Sequence, residues 1–405
     1  MARAAPAACR PHSWQLPLVW DEGDGASQSS AVFAQRIAEG LNAANAYADR
    51  DEGDALGAIA GAAKQVEAVD TTPFLAHATM EAMNCTAGVS ADRAEAWVPT
   101  QNAEAAHAAL SESSGLPLAQ CEVYRHDPGG GFGRRGGTQD HVRQAVAIAR
   151  QFPGLPVKMI WSREEDMTHD FYRPLSACKL CAGLDAQGKL VGLQVRVSGQ
   201  SINAFVNPLT VADGKDRRQL QGLWKEAGDA QFGYSVPNLR VEYAMRNTPV
   251  PVGPLRGVNT SVHRGIAQFM GYGSYSAAVA EVSVSATGQV KVHRMVLALN
   301  CGHAVNPGQI AAQVEGSVAY GLSATLHGEI TIERGRVQQR NFDSYPVLRL
   351  AEMPQVETVI VPSLDFWGGV GEPTICVVAP AVLNAVHAAT GRPQRDLPLR
   401  NSARV

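Results

Sequence analysis

Gly129-Gly130-Gly131-Phe132-Gly133-Arg134-Arg135-Gly136-Gly137 places six glycines and two arginines in nine residues. A strand-like run, Cys121 to Arg125, leads into it. Beyond it, Thr138 is positioned to cap a helix carrying Val142, Ala145, Val146 and Ala149 on one face. Glycines let backbone N–H groups approach an anion closely, and arginines and a helix N-terminus add positive potential. The string Gly131-x-Gly133-x-x-Gly136 also satisfies the dinucleotide fingerprint, with Val157 to Trp161 and Glu164-Glu165-Asp166 completing a βαβ unit. On that reading the chain is an NAD(P)- or FAD-dependent oxidoreductase. Three features oppose it: the acidic cluster comes late, arginines stand where small residues are usual, and His126-Asp127-Pro128 interrupts the strand. Pattern alone leaves three readings open, namely a nicotinamide or flavin site, a cradle for another phosphate-bearing ligand, and a structural turn.

The 405 residues suffice for two or three domains, and 45% hydrophobic with 18% charged residues is the composition of an ordinary globular protein. A formal net charge of -3 gives no electrostatic case for nucleic acid, and no apolar run is long enough to span a membrane. Met1 to Arg10 contains no apolar core of a secretory signal, so a cytoplasmic location is expected. Seven cysteines without framework spacing point to reduced thiols. Cys178 and Cys181, the one CxxC pair, fall in a strand-like arm where residues three apart face opposite sides, so no metal site is expected there.

Asp54 is a candidate cap for a helix through Leu56, Ile59 and Lys64. His77, beside apolar neighbours, reads as a satisfied core histidine. Gln101 follows a proline at a strand end and is suited to hydrogen-bond a ligand. Lys179 to Leu184 and Leu190 to Val197 form a hairpin around Asp185 to Gly188, and residues 212–231 read as a surface excursion. The segment Pro249 to Pro254 stiffens the chain before Arg256-Gly257. A second hairpin alternates Ala280, Val282 and Val284 with Val290 and Val292 across Thr287-Gly288. Asn306-Pro307 opens a helix with Ile310, Val314, Val318 and Leu322 on one stripe and Gln313 off it. Gly368 to Pro373 then precedes a helix ending at Gly391. In that glycine-rich turn Glu372 is a carboxylate in a mostly apolar stretch, a setting that strengthens a base once buried; the alternative is a solvated turn residue.

Seven stretches in this order resemble the molybdenum-binding large subunit of the xanthine dehydrogenase/aldehyde oxidase family, in the isoquinoline 1-oxidoreductase branch. They are His77 to Glu81, Pro99 to Gln101, Gly129 to Arg135, Trp161 to Glu164 with His169 to Pro174, Arg256 to Asn259, Asn306-Pro307 with Gln313 to Gly316, and Gly369 to Pro373. The resemblance implies an α+β fold with two molybdenum cofactor-binding domains, 71–262 and 263–405, and a remnant of a preceding small α/β domain over 1–70. It implies molybdopterin cytosine dinucleotide with molybdenum as cofactor, and hydroxylation of an N-heteroaromatic compound or aldehyde with water as oxygen source. Electrons would pass to a separate iron–sulfur subunit. By similarity Glu372 is the catalytic base, and Gln101, Gly130, Gly131, Phe132, Gly133, Arg134, Arg256, Gln313 and Gly371 contact cofactor or substrate. No residue is expected to ligate the metal. The sequence departs from the family in three ways. Ala82 replaces a usual proline, a long segment is absent between Ser261 and Gly265, and the family's N-terminal region is missing. If that region carried an export signal, the location would be periplasmic. The two gaps also leave open a truncated, non-catalytic homologue.

Overall fold

Strands with one buried face and helices with one apolar stripe pair off, among the described residues, into three sheets of four or five strands covered by helices and one two-stranded pair, in the computed structural model. It describes residues 22–211, 215–220, 223, 235–253, 265–285, 287–363 and 365–399. The first part of the chain runs α1 (Ser30–Gly40), β1 (Tyr47–Glu52), α2 (Ala55–Ala60), β2 (Lys64–Thr72), β3 (Asn84–Val89), β4 (Ala94–Pro99), α3 (Ala103–Ser114), β5 (Cys121–His126), α4 (Asp140–Ala149) and β6 (Val157–Ile160). It continues through α5 (Arg163–Thr168), β7 (Ser176–Leu184), β8 (Leu190–Gly199), α6 (Ile202–Val206) and β9 (Leu239–Met245). The second part contains β10 (Ile266–Gly271), β11 (Ser274–Val284), β12 (Val290–Asn300), α7 (Pro307–Leu326), β13 (Ile332–Glu333), β14 (Arg336–Val337), β15 (Gln355–Ile360) and α8 (Val378–Thr390).

The glycine loop belongs to a four-stranded sheet of order β5-β4-β3-β6. Val142, Ala145, Val146 and Ala149 of α4 are all fully buried against it, as their spacing requires. The cap differs from expectation. Helix α4 begins at Asp140 after Gln139, whose φ is +47°, while the Thr138 hydroxyl accepts from Arg134 instead. Strands β5 and β6 lie at opposite edges, with two strands between them. A βαβ nucleotide unit needs them adjacent, so this topology removes the dinucleotide reading of the loop, and Glu164 to Asp166 start helix α5 instead of ending a strand.

A five-stranded sheet has the order β1-β9-β8-β7-β2. Residues 47–72 thus supply both of its edge strands. Asp54 does cap α2, accepting from the Gly57 amide at 2.9 Å, but the helix stops at Ala60 and Lys64 opens β2. Within β7 the two cysteines part as alternation demands. Cys178 packs on the core, where burial pushes its thiol up to about 12, and Cys181 lies beside Glu67.

The third sheet, β10-β11-β12-β15, pairs β12 with β15 in parallel, so α7 is the crossover laid across it. Asn306 caps α7 by accepting from Gln309 N, Pro307 occupies its first turn, and Ile310, Val314, Val318 and Leu322 are buried with Val378, Val382 and Val386 of α8. The two parts of the chain are joined by bridges Phe74 to Ile330 and Thr71 to Asp396, and by an ion pair between Asp70 and Arg395.

Candidate functional site

The glycine loop is held from beneath by its own neighbours. Gly130 and Gly133 adopt φ of +99° and +105°, and Phe132 takes +52°, a conformation that costs a residue with a side chain. Gln101 organises the turn: its Oε1 accepts from Gly133 N at 3.1 Å and Arg135 N at 3.3 Å, and its backbone N–H donates to Arg135 O at 3.1 Å. The Arg135 guanidinium, with no exposed surface, donates to the carbonyls of Gly130, Pro99 and Glu81. Glu81 accepts from Gly129 N at 2.8 Å. Among the described residues, the consecutive amides of Gly130, Gly131 and Phe132 have no internal acceptor. Three free donors on a loop of alternating φ sign form a concavity for an anion or a carbonyl.

Arg134 does not fill the ligand-facing role expected of it. Its side chain is 2% exposed and turned inward, donating to both oxygens of Asp140 at 2.8 Å, with Nε 3.0 Å from Asp170 Oδ1 and its plane over Phe171. Charge neutralisation decided this: the buried Asp170 and the partly buried Asp140 need a cation more than a surface loop does. Asp170 also accepts from His77 N at 2.6 Å and lies 2.8 Å from His77 Nδ1, so His77 is a satisfied core histidine. Burial opposes ionisation of Asp170, yet His77 and Arg134 hold its carboxyl below the ordinary range. Gln101 likewise turns its oxygen into the loop and keeps only its amide nitrogen uncommitted among the described residues.

The neighbouring Asp166 is the opposite case. Burial and then Asp170 push its carboxyl up to about 6, against Arg163 at 2.6 Å. A carboxyl raised above its unfolded value of about 3.9 stabilises the fold most when protonated. That contribution is complete below about pH 3.9 and is lost as pH rises through about 6. Urea unfolding at a series of pH values is expected to show stability falling by up to ~3 kcal/mol across this window from Asp166. Asp166→Asn should flatten that part of the curve, and an unchanged slope refutes the assignment.

The second arm comes from the far end of the chain. Gln313 on α7 donates from Nε2 to Gly371 O at 2.9 Å, fixing the exposed residue that precedes Glu372. Glu372 is half-buried, so the apolar enclosure expected for it is only partial. One helical turn along, Ser317 Oγ meets Thr374 Oγ1 at 2.9 Å. Further along, the Tyr320 ring stacks on Phe132, with centroids 4.0 Å apart and planes at 24°. Gln313 and Tyr320 are seven residues apart on one face, about 10 Å of helix, so the glycine loop and the Glu372 turn stand side by side along α7. Phe132 is 40% exposed above this junction. Arg256 lies outside the described residues, as does Val258; Ile266 is exposed on β10. Sequence reading assigned no role to Tyr320, Glu81 or Asp170. The one available signal for Tyr320 was its spacing of seven from Gln313.

Two family models of a molybdopterin cofactor-binding domain match residues 38–204 and 248–354. The chain belongs to the xanthine dehydrogenase/aldehyde oxidase family of molybdopterin-binding proteins. It is 29% identical over 373 residues to isoquinoline 1-oxidoreductase subunit beta of Brevundimonas diminuta, covering 76% of this chain and 46% of that protein. It is 26% identical over 369 residues to the membrane-bound aldehyde dehydrogenase [pyrroloquinoline-quinone] of Gluconacetobacter polyoxogenes, covering 72% and 47%. The chain therefore spans about half the length of these relatives. The fold is that of quinoline 2-oxidoreductase from Pseudomonas putida 86, with a TM-score of 0.68 at 11% identity over 88% of this chain and 77% of that one. Family membership and the α+β fold agree with the sequence reading.

The residues present fit such a cofactor. The three amides without an acceptor among the described residues suit its anionic oxygens, and Gln101, whose side-chain nitrogen is uncommitted among them, holds that loop from the β4–α3 connection. Among the described residues no cluster of three His, Cys, Asp or Glu side chains converges to hold a metal ion. The loop is packed tightly enough to test. A Cβ on Gly131 would stand 2.4 Å from Gln101 Cδ. Gly131→Ala is expected to cost about 1–3 kcal/mol in thermal unfolding. Adding Gln101→Ala should cost less than the sum of the single changes, because the clash is then gone. Strict additivity sinks the idea that these two atoms meet.

Proposed function

We propose that this chain is the cofactor-carrying part of a molybdenum hydroxylase, with molybdopterin cytosine dinucleotide as cofactor and an N-heteroaromatic compound or an aldehyde as substrate. The observation that carries the reading is the meeting of the Phe132 loop and the Glu372 turn on one face of α7. The two arms are 240 residues apart in sequence and share no secondary structure, so a common helix is what makes them one site.

In the reaction the substrate carbon loses hydrogen and gains a hydroxyl from water, releasing two electrons and two protons. A molybdenum cofactor held on this loop would supply the two-electron acceptor for that step, with an iron–sulfur subunit as the onward acceptor. The amides of Gly130 to Phe132 hold anionic oxygens of the cofactor, and Gln101 Nε2 donates beside them. Phe132 covers the reacting face and excludes water from it. The Glu372 carboxylate accepts a proton from the attacking water-derived oxygen, with its approach fixed by the Gln313 bond to Gly371. The two relatives named for isoquinoline and aldehyde oxidation support the substrate range.

The test is elemental and nucleotide analysis of protein purified with its partner from a host that makes the cofactor. Molybdenum together with CMP released by acid is the expected result. A flavin, a nicotinamide or a quinone in its place overturns the proposal. Absence of all of them, under conditions that load a relative, favours a non-catalytic homologue.

A further inference from the structure

One aromatic side chain ties the two arms of the site together. Phe132 keeps a left-handed backbone at the centre of a turn closed by Arg134 N donating to Gly131 O at 2.8 Å, a conformation that costs a residue with a side chain and needs support from outside the turn. Its ring lies flat on Tyr320, and the Tyr320 hydroxyl donates to the carbonyl of His77. His77 is fixed by Asp170, and Asp170 meets Arg134, two residues beyond Phe132. The contacts close a circuit, Phe132 to Tyr320 to His77 to Asp170 to Arg134, that starts and ends in the glycine loop and passes once through α7. On the same face of α7, Gln313 and Ser317 hold Gly371 and Thr374 on either side of Glu372.

We propose that Tyr320 is a positioning residue: its ring holds Phe132 in the left-handed conformation, and this sets the three free amides and their distance from the Glu372 turn. The proposal rests on the reading of this loop as the cofactor cradle. An aromatic pair contributes most when the partner ring is itself immobile, and the hydroxyl bond to His77 immobilises it. The contacts of Tyr320 are the stack on Phe132 and hydroxyl bonds to the carbonyls of Ala76 and His77, so its influence on the loop is exerted through Phe132. The stack, more than the hydroxyl, does the holding, because only the ring contacts the loop.

Tyr320→Leu removes the stack at similar bulk, and Tyr320→Phe keeps it while removing the hydroxyl. Hydrogen exchange in the full chain reads the loop directly, at the hydrogen-bonded amides of Gly129 and Gly133 to Gly136. The Leu variant is expected to exchange there roughly two- to tenfold faster, with the α4 amides unchanged, and the Phe variant to stay within about twofold of wild type. In the loaded complex, the Leu variant should lose molybdenum and cytosine nucleotide faster on dialysis, and Phe should restore retention. Loop exchange in the Leu variant equal to wild type overturns the proposal. So does a Phe variant as loose as Leu, or a loosened loop with undiminished retention. If the wild type takes up no molybdenum, the cradle reading fails, and the exchange comparison still decides whether Tyr320 holds the loop.

Discussion

Glu372→Gln is expected to lower turnover by roughly two to four orders of magnitude in a complex loaded with cofactor and supplied with its electron-accepting partner. Glutamine keeps the size of the side chain and its hydrogen-bonding oxygen but cannot take up a proton at neutral pH. Substrate binding should change little, so the loss falls on kcat with KM nearly constant. The backbone frame around the residue is independent of the carboxylate: Gln313 holds Gly371 O, and Thr374 Oγ1 meets Ser317 Oγ. The substitution should therefore leave molybdenum content equal. Wild-type turnover at equal molybdenum content reduces Glu372 to a turn residue and removes base catalysis from the proposed mechanism.

Arg134→Met should be the most damaging change to stability, at about 3–5 kcal/mol. Methionine fills much of the volume but leaves Asp140 and Asp170 without their shared cation. Asp170 is almost wholly buried and retains only His77 and a backbone amide. Removing one member of a buried ion network costs far more than the network contributes, because the remaining charge cannot reach water. Arg134→Lys should recover only a fraction, since an ammonium cannot donate to both Asp140 oxygens and reach Asp170 at once. Denaturant midpoints measure both variants, and a loss below about 1 kcal/mol for the Met variant would show that the carboxylates find other partners.

Local patterning made much of the fold legible. The stripe of Ile310, Val314, Val318 and Leu322 with Asn306-Pro307 ahead of it defined α7, and alternation through Ala280 to Val292 defined the β11–β12 hairpin. These features depend on neighbours within a few residues. Pairing at a distance was not legible. Strand-forming residues 47–72 carry no mark that their partners are residues 176–184 and 239–245. Arg134 looked like a phosphate ligand because glycines surrounded it, and only the fold brings two carboxylates beneath it. At the site, family motifs pointed to Phe132, Gln313 and Glu372, yet the residue joining the first to the others is a tyrosine with no motif of its own. Its meaning arises from a contact across the two parts of the chain.

That contact also orders events in time. Tyr320 leaves the ribosome about 190 residues after Phe132, which at about 5–20 residues per second is roughly 10–40 s of synthesis. Until then the glycine loop has its Arg135 and Gln101 anchors but not the ring beneath Phe132. The edge of the five-stranded sheet waits longer still, for Asp396 to reach Thr71. A nascent chain therefore displays a half-built cradle for nearly half of its translation. A cofactor delivered early would meet a loop of the wrong shape, and loading becomes an event that belongs to the finished polypeptide.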